Sequence, residues 1–211
     1  MLSYLLSSWE NPMNGAESLV KTLVKSGVDV CFTNPGTSEM HFVAALDHVE
    51  GMRCVLGLFE GVVTGMADGY GRMADKPSST LLHLGPGLGN GLANLHNAKK
   101  AHTPIVNIVG DHATYHVEYD APLTADIEGI AKPVSSWVKT SKSSKDIARD
   151  GAEAVMAARS GPGQIATLIL PANTAWDEAN SVANPLDVPP QSKISSETIT
   201  GIAKALCEDG E

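Results

Sequence analysis

The sequence predicts an α/β protein: a three-layer, open parallel sheet with helices on both faces. Two observations carry this expectation. Short apolar runs alternate with amphipathic helical stretches from residue 15 to residue 170, and mostly short connections between such elements favour parallel strands covered on both sides. The runs also end repeatedly in glycine, proline or a single acid, the pattern of a sheet whose carboxyl edge carries binding loops.

The elements follow in order. Asn14-Gly-Ala-Glu17 has capping-box spacing. Ala16, Leu19, Val20, Leu23 and Val24 then form one helical stripe that Gly27 ends. Val28 to Thr33 reads as the first strand, turned by Asn34-Pro35-Gly36. Thr37 or Ser38 caps a second helix running to about Val49. Cys54 to Phe59 reads as a buried strand ending in Glu60. Beyond it Gly61, Gly65 and Gly69 recur on one face of a helix that reaches about Ala74. Each internal glycine costs about 1 kcal/mol against alanine, so a stripe of three suggests close approach of another backbone or a ligand.

Thr80 to Leu84 is the third strand. It runs into Gly85-Pro-Gly-Leu-Gly-Asn-Gly91, read as a tight turn, and a helix to about His102. Pro104 to Val109 is the fourth strand. Residues 110–132 are polar and without period. A helix over Lys145 to Arg159 and a strand over Gln164 to Leu170 follow, with loop from Pro171. Pro185, Pro189 and Pro190 mark a linker over residues 183–192, and a last helix spans Glu197 to Leu206. The expected organisation is an extension at 1–12, one domain at 13–182, and a linker with the opening helix of a truncated second domain at 183–211.

Composition excludes several classes. The chain has 211 residues, 43% of them hydrophobic, and a formal charge of −9. No basic cluster points to nucleic acid. No apolar run is long enough to span a membrane, and the N-terminus lacks a signal-peptide pattern. Cys31, Cys54 and Cys207 are too scattered for a disulfide frame or zinc site, and Cys31 and Cys54 are expected in the core. A reducing, cytoplasmic setting fits.

Several motifs also admit plainer readings. The Gly85–Gly91 segment invites a phosphate cradle, but both frames of the dinucleotide fingerprint fail, at Asn90 and at Leu92. His112 and His116, with Asp111, Glu118 and Asp120 near, have metal-ligand spacing if helical, but a solvated loop is the simpler account. His83 ends an apolar strand and reads equally as core or substrate-facing. Glu60 alone would be a helix-dipole cap. Joined to the Pro35-Gly36 turn and the Gly85–Gly91 segment at neighbouring strand ends, it marks a site.

Asn34-Pro-Gly-Thr37, Leu58-Phe-Glu60-Gly with Ala67-Asp-Gly-Tyr-Gly-Arg72, and His83-Leu-Gly-Pro-Gly-Leu-Gly-Asn90 occur in this order. Together they resemble the N-terminal, pyrimidine-binding domain of thiamine-diphosphate enzymes of the acetolactate synthase and benzoylformate decarboxylase type. The resemblance covers roughly residues 13–179. It implies that Glu60 hydrogen-bonds the pyrimidine of thiamine diphosphate, favouring the imino tautomer that removes the thiazolium proton. It implies 2-keto acid substrates, with decarboxylation or carboligation as the outcome. Catalytic roles fall on Glu60 and His83, and cofactor contacts on Pro35, Gly36, Glu60, Gly85, Gly87 and Asn90. Magnesium and the diphosphate would be held by a C-terminal domain absent from this chain. FAD, where the family uses it, sits largely in the central domain. The resemblance further implies a homo-oligomer, dimer or tetramer, closed over the face bearing Gly61, Gly65 and Gly69. Asp111 and His112 follow Gly110 where many acetolactate synthases have Gln, a departure from that enzyme. Two other readings stand beside this one: a separate small subunit of a two-chain decarboxylase, and a non-catalytic binding module of the same fold.

Overall fold

Six strands form one sheet in the order β2-β1-β3-β4-β6-β5, with every neighbouring pair parallel. They are β1 (Val30–Asn34), β2 (Arg53–Leu56), β3 (Ser78–Leu82), β4 (Ile105–Asp111), β5 (Trp137–Thr140) and β6 (Ile165–Pro171). The structure is a computed structural model that describes residues 12–191 and 193–208. Most of the expected extension at 1–12 therefore lies outside the described residues.

Helices cover both faces. On one face α1 (Gly15–Lys25), α2 (Met40–His48), α6 (Ile147–Arg159) and α7 (Ala172–Trp176) enclose a core that includes Leu19, Phe42, Leu81, Ile108 and Leu168. On the other, α3 (Glu60–Ala74), α4 (Leu84–Lys100) and α5 (Ile127–Ala131) pack over Phe32, Leu82, Ile105, Val109 and Ile169. Alternate residues of a strand face opposite layers, so Leu81 and Leu82 fall in different cores. The α1 stripe is as expected: Ala16, Leu19, Val20 and Leu23 are buried, and the Asn14 side chain accepts from the Glu17 N–H at 2.9 Å.

A polar ladder crosses the sheet's middle. Thr80 Oγ1 donates to Asn107 Oδ1 at 2.7 Å, Asn107 Nδ2 donates to Thr167 Oγ1 at 3.0 Å, and Ser135 Oγ lies 2.6 Å from Thr167 Oγ1. All four residues are buried, and their side-chain polar atoms are paired. Buried polar groups need such pairing.

The structure corrects several expectations. The strand before Glu60 stops at Leu56 and is an edge strand, so Cys54 is exposed rather than core. The Gly85–Gly91 segment is the first half of α4, not a turn, because α4 is held between α3, α5 and the sheet. The polar stretch 110–132 contains α5, the run after Pro171 contains α7, and β5 is a strand the pattern did not announce. At the other end Ser195 caps α8 (Ser196–Cys207) by accepting from the Thr198 N–H at 3.1 Å, and no residue of α8 is buried. Residues 181–191 run back along the domain: Ser181 O accepts from Ser18 Oγ, and Gln191 Nε2 donates to Gly161 O.

Candidate active site at the carboxyl edge

The chain leaves β1 to one side for β2, then crosses back to place β3 on the other side. The crevice between the carboxyl ends of β1 and β3 is therefore a topological switch point, where open α/β sheets bind ligands. Pro35 and Gly36 follow β1, and His83 follows β3. Asn34 Nδ2 donates to Gly57 O at 2.7 Å, which ties the end of β1 to the segment leading into α3.

Glu60 is the first residue of α3 and is half-buried. A carboxylate there complements the helix dipole. Its Oε2 accepts from Asn90 Nδ2 at 3.0 Å. Its Oε1 has no partner among the described residues and lies 3.2 Å from where a Cβ on Gly87 would stand. The same absent Cβ would lie 3.4 Å from His83 Cβ. Gly87 thus lies between the Glu60 carboxylate and the base of the His83 side chain. The rim beside Glu60 is apolar and open: Leu58, Phe59 and Val62 are all exposed.

Sequence reasoning missed the central side chain. Glu39, at the end of a 3-10 turn over Thr37–Glu39, has no exposed surface. Its Oε2 accepts from the Gly36 N–H at 2.7 Å and lies 2.8 Å from His83 Nδ1. Its Oε1 is buried with no partner and occupies the place of any Cβ on Gly110 at the end of β4. Burial pushes the Glu39 carboxyl above the usual carboxylate range, and the Gly36 N–H and His83 only partly offset it. Asp111 is also pushed up by burial, while its Oδ1 accepts from the His112 N–H at 2.7 Å. Leu84, between His83 and Gly85, is a buried non-glycine residue with φ of 50°. Such conformations are costly and cluster at functional sites.

The site candidates divide as follows. Gly36 and His83 are in van der Waals contact through the space a Gly36 Cβ would fill, and Glu60, Gly87 and Asn90 form one cluster. Pro35 lies half-buried in the turn. Gly85 faces Ala125 instead, so its bareness serves packing against the segment before α5. Of the striped glycines, Gly61 sits under the Phe59 ring and Gly65 faces Asn94, whose Nδ2 donates to Gly61 O at 2.6 Å; only Gly69 opens to free space. Two of the three therefore serve contacts within the chain. The His112 and His116 rings stack edge to face at 5.5 Å, and no metal-ligand group of three exists among the described residues. A cavity of about 460 Å³ lies at the opposite edge, lined by Arg72, Lys76, His102 and Arg159. Arg72 and Arg159 stand in the last turns of α3 and α6, where cations complement the helix dipole.

The arrangement defines a class: an α/β domain with an acid and a histidine converging on a switch-point crevice beside an apolar rim. Residues 13–131 match the family model described as thiamine pyrophosphate enzyme, N-terminal TPP binding domain, and the chain belongs to this family. It is 59% identical over 187 residues to a candidate acetolactate synthase large subunit, IlvX, of Mycobacterium tuberculosis, covering 84% of this chain and 36% of that protein. It is 33% identical over 150 residues to benzoylformate decarboxylase of Pseudomonas aeruginosa, covering 71% of this chain and 28% of that enzyme. The thiamine diphosphate-dependent 4-hydroxybenzoylformate decarboxylase of Rhodococcus jostii RHA1 superposes with a TM-score of 0.80 at 25% identity, covering 92% of this chain and 37% of that one. The chain spans about a third of the length of these relatives. No helix among the described residues is long and apolar enough to cross a membrane.

Proposed function

We propose that this chain supplies the pyrimidine-binding half of a thiamine-diphosphate-dependent 2-keto acid decarboxylase or carboligase. The supporting observation is the free Oε1 of Glu60, held at the mouth of the crevice with Gly87 left bare beneath it. A carboxylate with one oxygen fixed by Asn90 and the other free is the acceptor that a protonated ring nitrogen of an aminopyrimidine requires. Leu58, Phe59 and Val62 are exposed beside Glu60 and would supply apolar surface for such a ring. The residues present therefore fit the cofactor's pyrimidine end.

When bound, thiamine diphosphate supplies the carbon nucleophile and the electron sink. Glu60 holds the proton on the ring nitrogen and fixes the ring's orientation. Pro35 and Gly36 would contact the ring from the turn after β1, and His83, after β3, would serve the substrate. The diphosphate and its magnesium fall to another domain, and FAD, where used, to a central one. The domain proper spans 13–182, with residues 183–211 leading onward. The face of α3 that bears Gly61, Gly65 and Gly69 is the one that meets a second copy, in a dimer or tetramer.

Turnover is tested by adding thiamine diphosphate and magnesium to this chain joined to its diphosphate-binding half, over a panel of 2-keto acids. Glu60→Gln is expected to lower cofactor-dependent turnover on the order of a hundredfold or more, as for loss of a group that handles a proton in the reaction. Undiminished turnover in that variant, or none in the wild type, would overturn the reading.

A further inference from the structure

Glu39 is the one fully buried acid of the crevice that the proposed chemistry does not use. It is an expensive residue to keep. A carboxyl buried at this depth costs stability unless it is fully paired, and an apolar side chain of similar volume often does as well. Half of its hydrogen-bonding capacity is also unmet, since Oε1 has no partner. Two further features serve the same spot. Residue 110 must be glycine to leave room for the Glu39 carboxylate, and Leu84 adopts φ of 50° immediately after His83. Glu39 caps the Gly36 N–H at the start of its 3-10 turn, but that role uses only one oxygen and does not ask for complete burial, which neighbours on β4 and α4 accommodate.

The bonding pattern fixes what it does. Oε2 accepts from the Gly36 N–H at 2.7 Å, so that oxygen is already an acceptor. If the carboxyl is ionised, neither oxygen carries a proton. In that state the 2.8 Å contact to His83 Nδ1 closes only when the histidine donates. Neutral His83 is then held with its proton on Nδ1. Its Nε2 makes no hydrogen bond to a described residue and is not among the buried unpaired atoms, and the side chain is partly exposed. Nε2 is therefore left as an open lone pair.

The geometry points to Glu39 as a positioning residue: it locks His83 in the Nδ1–H tautomer, with Nε2 free to take or return a proton at the substrate side, and ties that ring to the Gly36 turn. This assignment rests on reading the crevice as the thiamine diphosphate site. It goes beyond that reading by giving His83 a defined protonation geometry and a residue responsible for it. A carboxylate or carbonyl behind a functional imidazole sets which nitrogen works.

The tautomer is measurable without cofactor. The 211-residue chain is labelled with ¹⁵N-histidine, and long-range ¹H–¹⁵N correlations are recorded where His83 is neutral, with His83→Gln used to assign its signals. The wild type is expected to show Nδ1–H. Glu39→Ala is expected to release the ring to the Nε2–H form that free imidazole favours in water. Glu39→Gln is expected to retain Nδ1–H, because its amide oxygen takes the place of Oε2. Nε2–H in the wild type overturns the proposal without any variant at residue 39, so a misfolded Glu39→Ala leaves it falsifiable. An unchanged tautomer in a folded Glu39→Ala overturns it as well. In the complete enzyme loaded with thiamine diphosphate, Glu39→Ala should lower kcat on the order of tenfold, with Glu39→Gln closer to wild type. Equal kcat in the alanine variant would also sink the proposal. A correct tautomer with no keto acid turned over would instead retire the substrate reading and leave the positioning role standing.

Discussion

Two buried polar clusters in this molecule are built to opposite specifications. At the sheet's middle, Thr80, Asn107, Thr167 and Ser135 satisfy one another across three strands. At its carboxyl edge, Glu39 is equally buried but keeps one oxygen unpaired. The first cluster is closed, and its chemistry ends within the fold. The second is open, and its surplus bonding capacity belongs to the crevice. A fully paired network pins strand register and rigidifies the core. A partly paired one is a liability to stability, and its presence here marks a site.

The contrast is broken most severely at the ladder. Asn107→Ala strands the hydroxyl of Thr80 in the core, leaves Thr167 only its contact with Ser135, and opens a small void. The expected loss is about 3 kcal/mol of unfolding free energy, the sum of one or two unmet buried groups and the lost packing. Urea unfolding reads it, and an effect below about 1 kcal/mol would mean that water enters the sheet to replace the amide. A loss of activity in this variant should follow the loss of folded protein and no more.

A smaller effect sharpens the other side. Gly110→Ala drives a methyl into the Glu39 carboxylate, an overpacking expected to cost about 2 kcal/mol. The same substitution made in a Glu39→Ala background should cost markedly less, because the obstructing group is gone. The coupling between two such touching residues is expected at about 1 kcal/mol or more. Additive costs would show that Gly110 is required for some reason other than the acid it faces.

The unequal legibility of these regions in the sequence has a physical basis. Glu60 was readable because its signal is local: an apolar run, an acid and a helix in consecutive residues. Glu39 was not, because it looks like an ordinary acid in a first helical turn. What distinguishes it is His83, 44 residues on, and Gly110 at the end of another strand, and only the folded sheet brings these together. Glycines misled in the opposite direction. Gly85, Gly87, Gly89 and Gly91 read as a turn by propensity, yet tertiary packing holds them in α4. There Gly91 O accepts from Thr64 Oγ1 at 3.0 Å, and Gly87 opens the space between Glu60 and His83. Strand β5 escaped notice because it is short and half-buried along its length, with neither an apolar run nor clean alternation. The three strand ends that make the crevice were legible as punctuation, but the acid that joins two of them was not.

The gentlest test uses pH alone. Burial raises the Glu39 pKa above its unfolded value of about 4.5, so the folded state binds this proton more tightly than the unfolded chain does. Stability rises with pH only where the unfolded state binds more protons. Here the sign is reversed. Glu39 contributes most below its unfolded pKa, and the contribution falls away as pH rises through the elevated folded value. Glu39→Gln removes the ionisation and keeps the shape. The variant and wild type should therefore differ least in acid, and the variant should gain on the wild type as pH climbs to neutrality, levelling off once the native carboxyl is ionised. Urea midpoints for both proteins from pH 4 to pH 8 give the difference directly, and subtracting one curve from the other cancels every titration the two share. No matching dependence should appear for Asn107→Ala, since nothing in that ladder ionises. A flat difference would mean that His83 and the Gly36 N–H fully offset burial, and one that runs the other way that they hold the Glu39 carboxylate ionised more strongly than burial opposes it. The edge cluster would then be as settled electrostatically as the ladder at the centre.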